Sequence, residues 1–378
     1  MQICPNNCIT METNKEGFLY PTISEVNCCN CGLCQKVCII DQRCKTNAGG
    51  VTYAAKAISK INCLKSTSGG VFGSLAYHVL SNGGIVFGCI MDKDHVVKHI
   101  GIDQIKRLDE IKGSKYVQSN TLSTYEECKN ELKTGRLVLY SGTPCQIAGL
   151  KSFLGKEFSN LITVDLICHG VPSQAYFNKY LEWLQKKNNA IIKNFDFRCK
   201  KTDGWSLSGS YYIEKDDSLQ RKPLYYYEHY YYFYFLEGSI YRESCYSCKF
   251  ANLNRPGDFT LGDLWGAEGL ELNVDIQYGC SLVIANNDKA RDLLKKLEIE
   301  YEEIELNDAL RYNEQLCRPS VLPTSRNKRL EEFETKSADE INRIFLRSNF
   351  KKILISKLKY SIPYKVRRRV LELKYKRR

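Results

Sequence analysis

The chain has 378 residues, enough for two or three domains. Residues 349–378 supply almost all of its formal net charge of +12. The rest of the chain is nearly neutral, which disfavours nucleic-acid binding. No window approaches the roughly 20 apolar residues of a membrane span, and nothing resembles a secretory signal. We therefore expect a cytoplasmic protein whose 18 cysteines are reduced or bind metal.

The first motif in chain order is a run of cysteines with the spacing C-x2-C-x2-C-x3-C. Its members are Cys28, Cys31, Cys34 and Cys38. In bacterial ferredoxins the first three cysteines of such a run bind one 4Fe-4S cluster, and the fourth binds the other cluster. The missing ligand must come from elsewhere, and Cys4, followed by Pro5, resembles the end of a preceding copy of the run. The predicted ligands of one 4Fe-4S cluster are Cys4, Cys28, Cys31 and Cys34. Cys38 is then a candidate ligand without its partners.

Residues 1–45 are accordingly predicted to be a 4Fe-4S ferredoxin-type module. Because only the end of a first copy is present, we expect Met1 to lie inside a two-cluster module, through truncation or a start codon chosen too late. A zinc knuckle and a disulfide knot are the alternatives. Zinc favours two separated C-x2-C pairs, and disulfides need an oxidising compartment, so the iron-sulfur interpretation is preferred.

The next stretch, residues 45–65, is small and polar, which predicts a linker. Ser/Thr residues and two glycines then precede apolar residues at helical spacing, which predicts a helix start. Backbone N–H groups at such a start can bind an anion, for example a cofactor phosphate. The candidate cofactor-binding residues here are Ser68, Gly69, Gly70 and Val71. A capped structural helix is the simpler alternative.

A buried strand is predicted at residues 85–92, with a hairpin partner at residues 96–102. The polar loop at residues 113–119 follows and contains Lys115 and Tyr116. A cation and hydroxyl groups suit a phosphate or ribityl chain, so both residues are candidate cofactor contacts. An ordinary surface turn is the alternative.

Two successive β-α units each place a cysteine after a strand. After a helix predicted at residues 124–133, Cys145 follows the strand at residues 137–140, and Cys168 follows the strand at residues 161–167. Open α/β sheets bind ligands at the carboxyl ends of their strands. A C-x2-C pair, Cys245 and Cys248, comes later. Together these four thiolates could enclose a second cluster, although each alone is more often a small buried side chain.

The remaining segments fit a catalytic domain without defining a substrate. Strands are predicted at residues 191–199, 207–214 and 281–285, the last before a helix at 288–297. Residues 225–234 include seven tyrosines, which we interpret as a segment packed over the core in preference to a ring-stacking cofactor or sugar site. His169 is a weak candidate for a catalytic proton donor, and a structural role in its turn is equally compatible.

Six motifs in this order resemble the coenzyme F420 hydrogenase/dehydrogenase beta-subunit family over about residues 1–325. They are Ser68–Phe72 (SGGVF), Lys112–Val117 (KGSKYV), Gly142–Gln146 (GTPCQ), Asp165–Ser173 (DLICHGVPS), Cys245–Cys248 (CYSC) and Gly257–Gly266 (GDFTLGDLWG). Members of this family are flavoproteins that pass electrons between iron-sulfur clusters and FAD, which exchanges hydride with coenzyme F420. The resemblance implies a second 4Fe-4S cluster at Cys145, Cys168, Cys245 and Cys248. It also implies FAD near residues 68–71 and Lys115.

The resemblance also implies a fold and a domain order. We expect an α+β ferredoxin-like N-terminal module followed by an α/β catalytic region with a mixed sheet, the latter in segments 60–145 and 146–325. Two departures stand out: only Cys4 remains of the first ferredoxin motif, and Ile39 follows Cys38 where ferredoxins have proline. Many bacterial members of the family are encoded beside genes for surface-polysaccharide synthesis, in hosts that need not make coenzyme F420. The expected acceptor is therefore coenzyme F420 or another compound, and a link to polysaccharide assembly is expected.

Residues 326–378 are predicted to be a linker and a basic amphipathic tail. Its basic and apolar residues suit an anionic membrane surface, and a solvated terminus is the alternative. The expected partners are an electron-donor or acceptor protein and this membrane surface, with no nucleic acid and a peripheral position at the inner face of the membrane. The alternative function is a non-catalytic ferredoxin-type electron carrier or scaffold with the same tail.

Overall fold

A computed structural model of the chain describes residues 1–40, 47, 49–216 and 218–376, the last three of these as backbone only. Residues 41–45 of the predicted first module and the last two residues of the predicted tail lie outside the described residues. The strands are β1 (Ile9–Thr13), β2 (Leu19–Ile23), β3 (Val51–Ala57), β4 (Ile85–Met91), β5 (Val97–Ile102), β6 (Val138–Gly142), β7 (Leu161–Leu166), β8 (Ile191–Asp196), β9 (Gly209–Lys215), β10 (Ser218–Leu224), β11 (Phe259–Asp263), β12 (Ser281–Ala285) and β13 (Ile299–Glu303).

Helices of very different length alternate with these strands. The α-helices are α1 (Leu33–Lys36), α2 (Lys60–Leu64), α3 (Val71–Ser81), α4 (Leu108–Ile111), α5 (Thr124–Lys133), α6 (Pro144–Leu154), α7 (Gln174–Asn188), α8 (Lys200–Asp203), α9 (Tyr230–Glu237), α10 (Asp288–Leu294), α11 (Leu306–Leu310), α12 (Arg326–Thr335), α13 (Ala338–Ser361) and α14 (Tyr364–Lys376). Short 3₁₀ segments lie at Glu25–Asn27, Ile105–Arg107, Tyr226–Glu228, Glu243–Ser247, Ala267–Gly269 and Glu314–Leu316.

The main sheet has eight strands in the order β13-β3-β12-β11-β7-β6-β4-β5. Its centre is parallel, through the pairs β4-β6, β6-β7 and β7-β11, and its flanks are antiparallel. All five residues of β6 are buried, as expected for a parallel strand covered on both faces. The predicted α/β region with a mixed sheet is therefore confirmed. Strands from both predicted segments, 60–145 and 146–325, belong to this one sheet.

The linker predicted at residues 45–65 is wrong where the structure describes it. β3 lies within the main sheet, between β12 and β13. Its small residues Ala54, Ala55 and Ala57 are buried, because alanine lets neighbouring elements approach the strand closely. The composition of a tightly packed strand thus resembled that of a linker.

Two smaller sheets flank the main one. β1 and β2 form an antiparallel hairpin in the N-terminal module, and β10, β9 and β8 form a three-stranded antiparallel sheet. The tyrosine-rich segment at residues 225–234 leads into α9, whose Tyr230, Tyr231, Tyr232 and Tyr234 are all buried. The interpretation of this segment as a core element is confirmed.

The described part of the basic tail is helical and packs against the body. Ile341, Phe345 and Ile353 form the buried face of α13, and Phe345 contacts the ring of Tyr234 at 5.7 Å between centroids. Arg367 of α14 pairs with Asp203 of α8. Among the described helices, none is both long and apolar enough to cross a membrane.

Candidate functional site

The N-terminal cysteines line one cavity. The cysteines around it are Cys4, Cys8, Cys28, Cys29, Cys31 and Cys34. Gly32, with φ of +71°, is the N-cap of α1 and turns the chain between Cys31 and Cys34. The structure therefore brings together all four residues predicted to bind the first cluster. Several thiols around one cavity are the donor set that a 4Fe-4S cluster requires.

Cys8 was not predicted to belong to this set. Its side chain is 6% exposed, and its Sγ lies 3.2 Å from the Sγ of Cys4. The hydrogen bond between the two thiols lowers the pKa of Cys4 and raises that of Cys8 to about 12. The spacing of four residues was visible in the sequence, but the resemblance of Cys4-Pro5 to a ferredoxin ending was the stronger signal.

Cys38 is not among the residues that line this cavity. It follows α1 in a segment held from two sides: Ser152 of α6 donates a hydrogen bond to the carbonyl of Val37 at 2.9 Å, and Lys249 donates to the carbonyl of Ile40. Both contacts come from the region of the second cysteine set, since α6 begins beside Cys145 and Lys249 follows Cys248. The described end of the N-terminal module is thus tied to α6 and to the residue that follows Cys248.

The second cysteine set lies at the carboxyl edge of the parallel strands. Cys145 opens α6 after β6, with Thr143 and Gln146 forming a capping box. Cys168 follows β7, which pairs with β6 in parallel, so both cysteines lie at one edge. The turn that carries Cys245 is tied to the Cys168 loop by the hydrogen bond from Arg242 N to Val171 O at 2.9 Å.

The four thiols lie within electrostatic range of one another, because interactions among them raise the pKa values of Cys168 and Cys245. Burial raises the pKa of Cys168 well above its ordinary value, and interaction with Cys245, Cys145 and Cys248 raises it further. Burial also raises the pKa of Cys245 to about 12, with Cys145 and Cys248 adding to the effect. Among the described residues, no group of His, Cys, Asp or Glu is arranged to hold a single metal ion. A cationic iron-sulfur core between the thiolates would relieve their mutual repulsion, and the donor set of four cysteines fits a 4Fe-4S cluster.

A buried ion pair holds the strand end that precedes Cys168. Asp165 and Arg255 are 0% and 1% exposed, and Arg255 also donates to the carbonyl of Leu166 at 2.8 Å. The second carboxylate oxygen of Asp165 accepts from the backbone of Gly257 at 2.8 Å. Burial raises the pKa of Asp165, and Arg255 opposes that change. The sequence placed Asp165 in a motif but gave no sign of its partner.

The predicted flavin residues at the start of α3 are largely engaged with the sheet. Ser68 Oγ donates to the carbonyl of Cys280 at 2.7 Å, and Gly69 N donates to Ser281 Oγ at 2.9 Å. A Cβ at Gly69 would lie 2.3 Å from the carbonyl oxygen of Ala55, so the loop packs too closely for any side chain. Val71 is buried in the core. Any anion contact at this helix start is therefore through its backbone, including Gly70 at φ of +92°.

The loop containing Lys115 and Tyr116 lies beside that helix start. Thr67 Oγ1 accepts hydrogen bonds from the backbone and hydroxyl of Ser114, at 3.0 and 3.1 Å. Burial lowers the pKa of Lys115, whose Nζ donates to the carbonyl of Lys112 at 2.6 Å. Tyr116 stacks on Phe235 at 4.2 Å between ring centroids. The structure thus brings the two predicted cofactor-binding loops together.

A further cation, which no motif in the sequence indicated, lies in the same neighbourhood. The Arg198 side chain is 3% exposed, and its Nη1 donates to Asp263 Oδ2 at 3.2 Å and to the Tyr116 hydroxyl at 3.3 Å. Its Nε and Nη2 are buried without a hydrogen-bond partner. Unpaired buried donors are costly, and an anionic group of a ligand would satisfy them.

Lys200 and two tryptophans complete this neighbourhood. Lys200 Nζ donates to the carbonyl of Ser68 at 2.5 Å, and burial lowers its pKa to about 8. Trp205 Nε1 donates to Asp263 Oδ1 at 2.6 Å, and its ring stacks on Trp265 at 5.5 Å. The sequence offered one signal for these residues: tryptophan is rare in the chain, which has three, and two of them stack here.

His169 lies between the two regions. Its carbonyl accepts from Ser320 Oγ at 2.5 Å, and its side chain keeps an exposed surface. Surrounding protein atoms lower its pKa, whereas Asp263 raises it. Asp263 therefore acts electrostatically on His169, beside Cys168, and also binds Arg198 and Trp205.

Fold and site together define an α/β protein with a mixed sheet, a cysteine set at the carboxyl edge of its parallel strands and an adjoining cationic and aromatic region. Residues 135–309 match the family defined by the C terminus of the coenzyme F420 hydrogenase/dehydrogenase beta subunit. The family resemblance predicted from the motifs is confirmed over this region, which includes all four cysteines of the second set. The match supports an oxidoreductase similar to those beta subunits.

Thirteen chains of solved structures also match. One comes from the structure described as "Xenon derivatization of the F420-reducing [NiFe] hydrogenase complex from Methanosarcina barkeri". The two chains are 15% identical, and their superposition has a TM-score of 0.45. The match spans 81% of this chain and 93% of the hydrogenase chain. No match was found among the curated proteins.

Proposed function

We propose that the protein is an iron-sulfur flavoprotein oxidoreductase that passes electrons between 4Fe-4S clusters and FAD, with hydride exchange to coenzyme F420 or another acceptor. The observation that carries the proposal is the gathering of the four thiols of the second set at one edge of the sheet. The family match over residues 135–309 supports the same class.

The two cysteine sets have separate roles in this proposal. Cys4, Cys28, Cys31 and Cys34 hold the N-terminal cluster, and Cys145, Cys168, Cys245 and Cys248 hold the second. When bound, clusters supply one-electron transfer and FAD converts electron pairs carried as hydride into single electrons. Cys31 is exposed, which suits exchange with an electron-donor or acceptor protein.

The loops beside the second set are the proposed flavin site. The helix start at residues 68–71 offers backbone N–H groups, and Lys115, Lys200 and Arg198 supply positive charge around it. Tyr116 and the tryptophan pair add aromatic surface that suits a ring system. Hydrogen bonds from Arg198 and Trp205 to Asp263 orient both side chains beside this site.

The C-terminal helices α13 and α14 are proposed to bind the anionic inner face of the membrane. This location is in keeping with a role in polysaccharide assembly. The outward face of α13 exposes Phe350, Leu354 and Leu358 next to Arg347 and Lys351. Apolar side chains flanked by cations are typical of helices that lie in the headgroup region of anionic bilayers.

The direct test is the absorption spectrum of anaerobically purified protein, with iron and released flavin measured per chain. Flavin with about eight irons supports two clusters and the flavoenzyme. Cys145→Ala and Cys168→Ala should each remove iron without unfolding the chain, whereas the matched control Cys128→Ala, a buried cysteine outside both sets, should retain it. About four irons and no flavin would favour the alternative, a ferredoxin-type electron carrier or scaffold.

A further inference from the structure

The N-terminal cavity offers more thiols than one cluster needs from the chain. Cys28, Cys31 and Cys34 supply three, and Cys4 and Cys8 both remain for the fourth position. Each iron of a 4Fe-4S cluster takes one protein thiolate, because sulfides occupy its other positions. Two Sγ atoms 3.2 Å apart therefore compete for a single iron.

The position of Cys8 is fixed by the neighbouring hairpin. Its carbonyl accepts from Ser24 N at 2.8 Å, and the next residue, Ile9, pairs with Ile23 across β1 and β2. Cys4, in contrast, lies in a turn closed by the hydrogen bond from Asn7 N to Cys4 O at 3.4 Å. The hairpin thus holds the Cys8 thiol against the cavity independently of Cys4.

We propose that Cys4 and Cys8 are alternative ligands of the same iron, so that either thiol alone completes the N-terminal cluster. This inference rests on the proposed function, in which the cavity holds a 4Fe-4S cluster. Binding converts one thiol to a thiolate, its proton passes to solvent, one iron-sulfur bond forms, and no electron is transferred. The other thiol stays protonated and donates its S–H to the ligand sulfur.

Cys29 provides a matched control. It lines the same cavity and is exposed, whereas Cys8 is buried with its sulfur beside that of Cys4. If any thiol at the cavity were able to replace Cys4 as the ligand, Cys29 would also serve. If the replacement must lie beside the sulfur of Cys4, Cys8 is the replacement.

The experiment compares full-length wild type, Cys4→Ala, Cys8→Ala, Cys4→Ala/Cys8→Ala and Cys4→Ala/Cys29→Ala, all purified anaerobically. The readouts are iron per chain and electron paramagnetic resonance of the oxidised and reduced proteins. Both single variants and the Cys29 control should keep the wild-type iron content. Cys4→Ala/Cys8→Ala should lose at least one iron of the N-terminal cluster and show the oxidised three-iron signal or no N-terminal signal.

Loss of iron in either single variant, or full retention in Cys4→Ala/Cys8→Ala, overturns the proposal. Circular dichroism and thermal unfolding check the fold, and Cys8→Val replaces Cys8→Ala if the buried site does not tolerate alanine. Wild-type protein without iron overturns the proposed function as well. Failure of the Cys8 assignment alone leaves flavin and the second cluster intact, so the two failures are distinguishable.

Discussion

Asp165 Oδ1 lies 2.6 Å from Arg255 Nη2, although the two residues are 90 positions apart in the chain. Both side chains are buried, and each has further hydrogen bonds to the backbone. The pair joins the end of β7 to the segment that precedes β11. It therefore fixes the strand end from which Cys168 emerges.

Replacing Arg255 with methionine should destabilise the protein by about 3–5 kcal/mol, because it leaves a buried carboxylate unpaired. Urea unfolding of the purified protein measures the change. Lys295→Ala, which removes an exposed, solvent-screened ion pair with Asp292, is the control and should leave the free energy of unfolding nearly unchanged. A loss from Arg255→Met as small as that of the control would contradict the structural role of the pair.

His99 should make the protein sensitive to mild acid. Its Nε2 donates to the carbonyl of Ser141 at 2.9 Å, Ser119 Oγ lies 2.7 Å from Nδ1, and burial lowers its pKa to about 4. The ordinary value is 6.5, so between these values the unfolded chain binds more protons than the folded one. The contribution of His99 to the free energy of unfolding is complete above about pH 6.5 and falls as the pH approaches 4. At pH 5 it is lower by about 2 kcal/mol.

The measurement is urea unfolding of wild type and His99→Gln at pH 7, 6 and 5. The stability difference between the two proteins should shrink by about 2 kcal/mol from pH 7 to pH 5. The pKa of the buried His229 is also lowered, to about 3, but its contribution is common to both proteins and cancels in the comparison. A pH-independent difference would show that His99 is not the group responsible.

Arg198→Met should weaken flavin binding at least tenfold, because its unpaired donors are the proposed anion contact. A tenfold change corresponds to about 1.4 kcal/mol. Flavin fluorescence on titration into flavin-free protein measures the affinity, and iron content should not change. Lys201→Met, an exposed neighbour, is the control. Equal flavin affinity in Arg198→Met and wild type would remove Arg198 from the proposed site.

The double charge reversal Arg347→Glu/Lys351→Glu should reduce binding to phosphatidylserine vesicles by at least tenfold, since each surface cation contributes about 1 kcal/mol. These side chains are exposed on α13, so the fold should be retained, whereas deleting residues 349–378 would remove the buried Ile353. Co-sedimentation at several salt concentrations, with phosphatidylcholine vesicles as control, measures binding. Salt-insensitive binding, or no binding by wild type, counts against the membrane proposal.

Local signals in the sequence predicted much of the main sheet. β4, β6, β7 and β12 are apolar runs with glycine, proline or polar residues at their ends, so their positions followed from periodicity and turn chemistry. β3 was missed because its alanines lack the bulk that marks a buried strand. The two equivalent β-α turns predicted that Cys145 and Cys168 lie at one edge of the sheet, as they do. Their grouping with Cys245 and Cys248 as cluster ligands was implied by the family resemblance and stays a prediction.

The remainder of the site depends on long-range packing. Arg198 and Trp205 flank the short helix α8, and only the folded chain brings them to Asp263. Their chemistry is invisible in local spacing. Cys8 differs, because its distance from Cys4 in the chain was available, and only the cavity shows that both thiols face the same position.

The place of β3 in the sheet also sets an order of events during synthesis. Ala55 of β3 pairs with Ser281 of β12 and Tyr301 of β13, both of which leave the ribosome much later. At about 5–20 residues per second, β3 waits on the order of 10–45 s for its neighbours. All cysteines of the N-terminal set have been synthesised well before that moment, whereas the second set is complete only once Cys248 has been synthesised. If the N-terminal set binds a cluster as proposed, its iron can therefore be loaded before the sheet closes on a nascent chain.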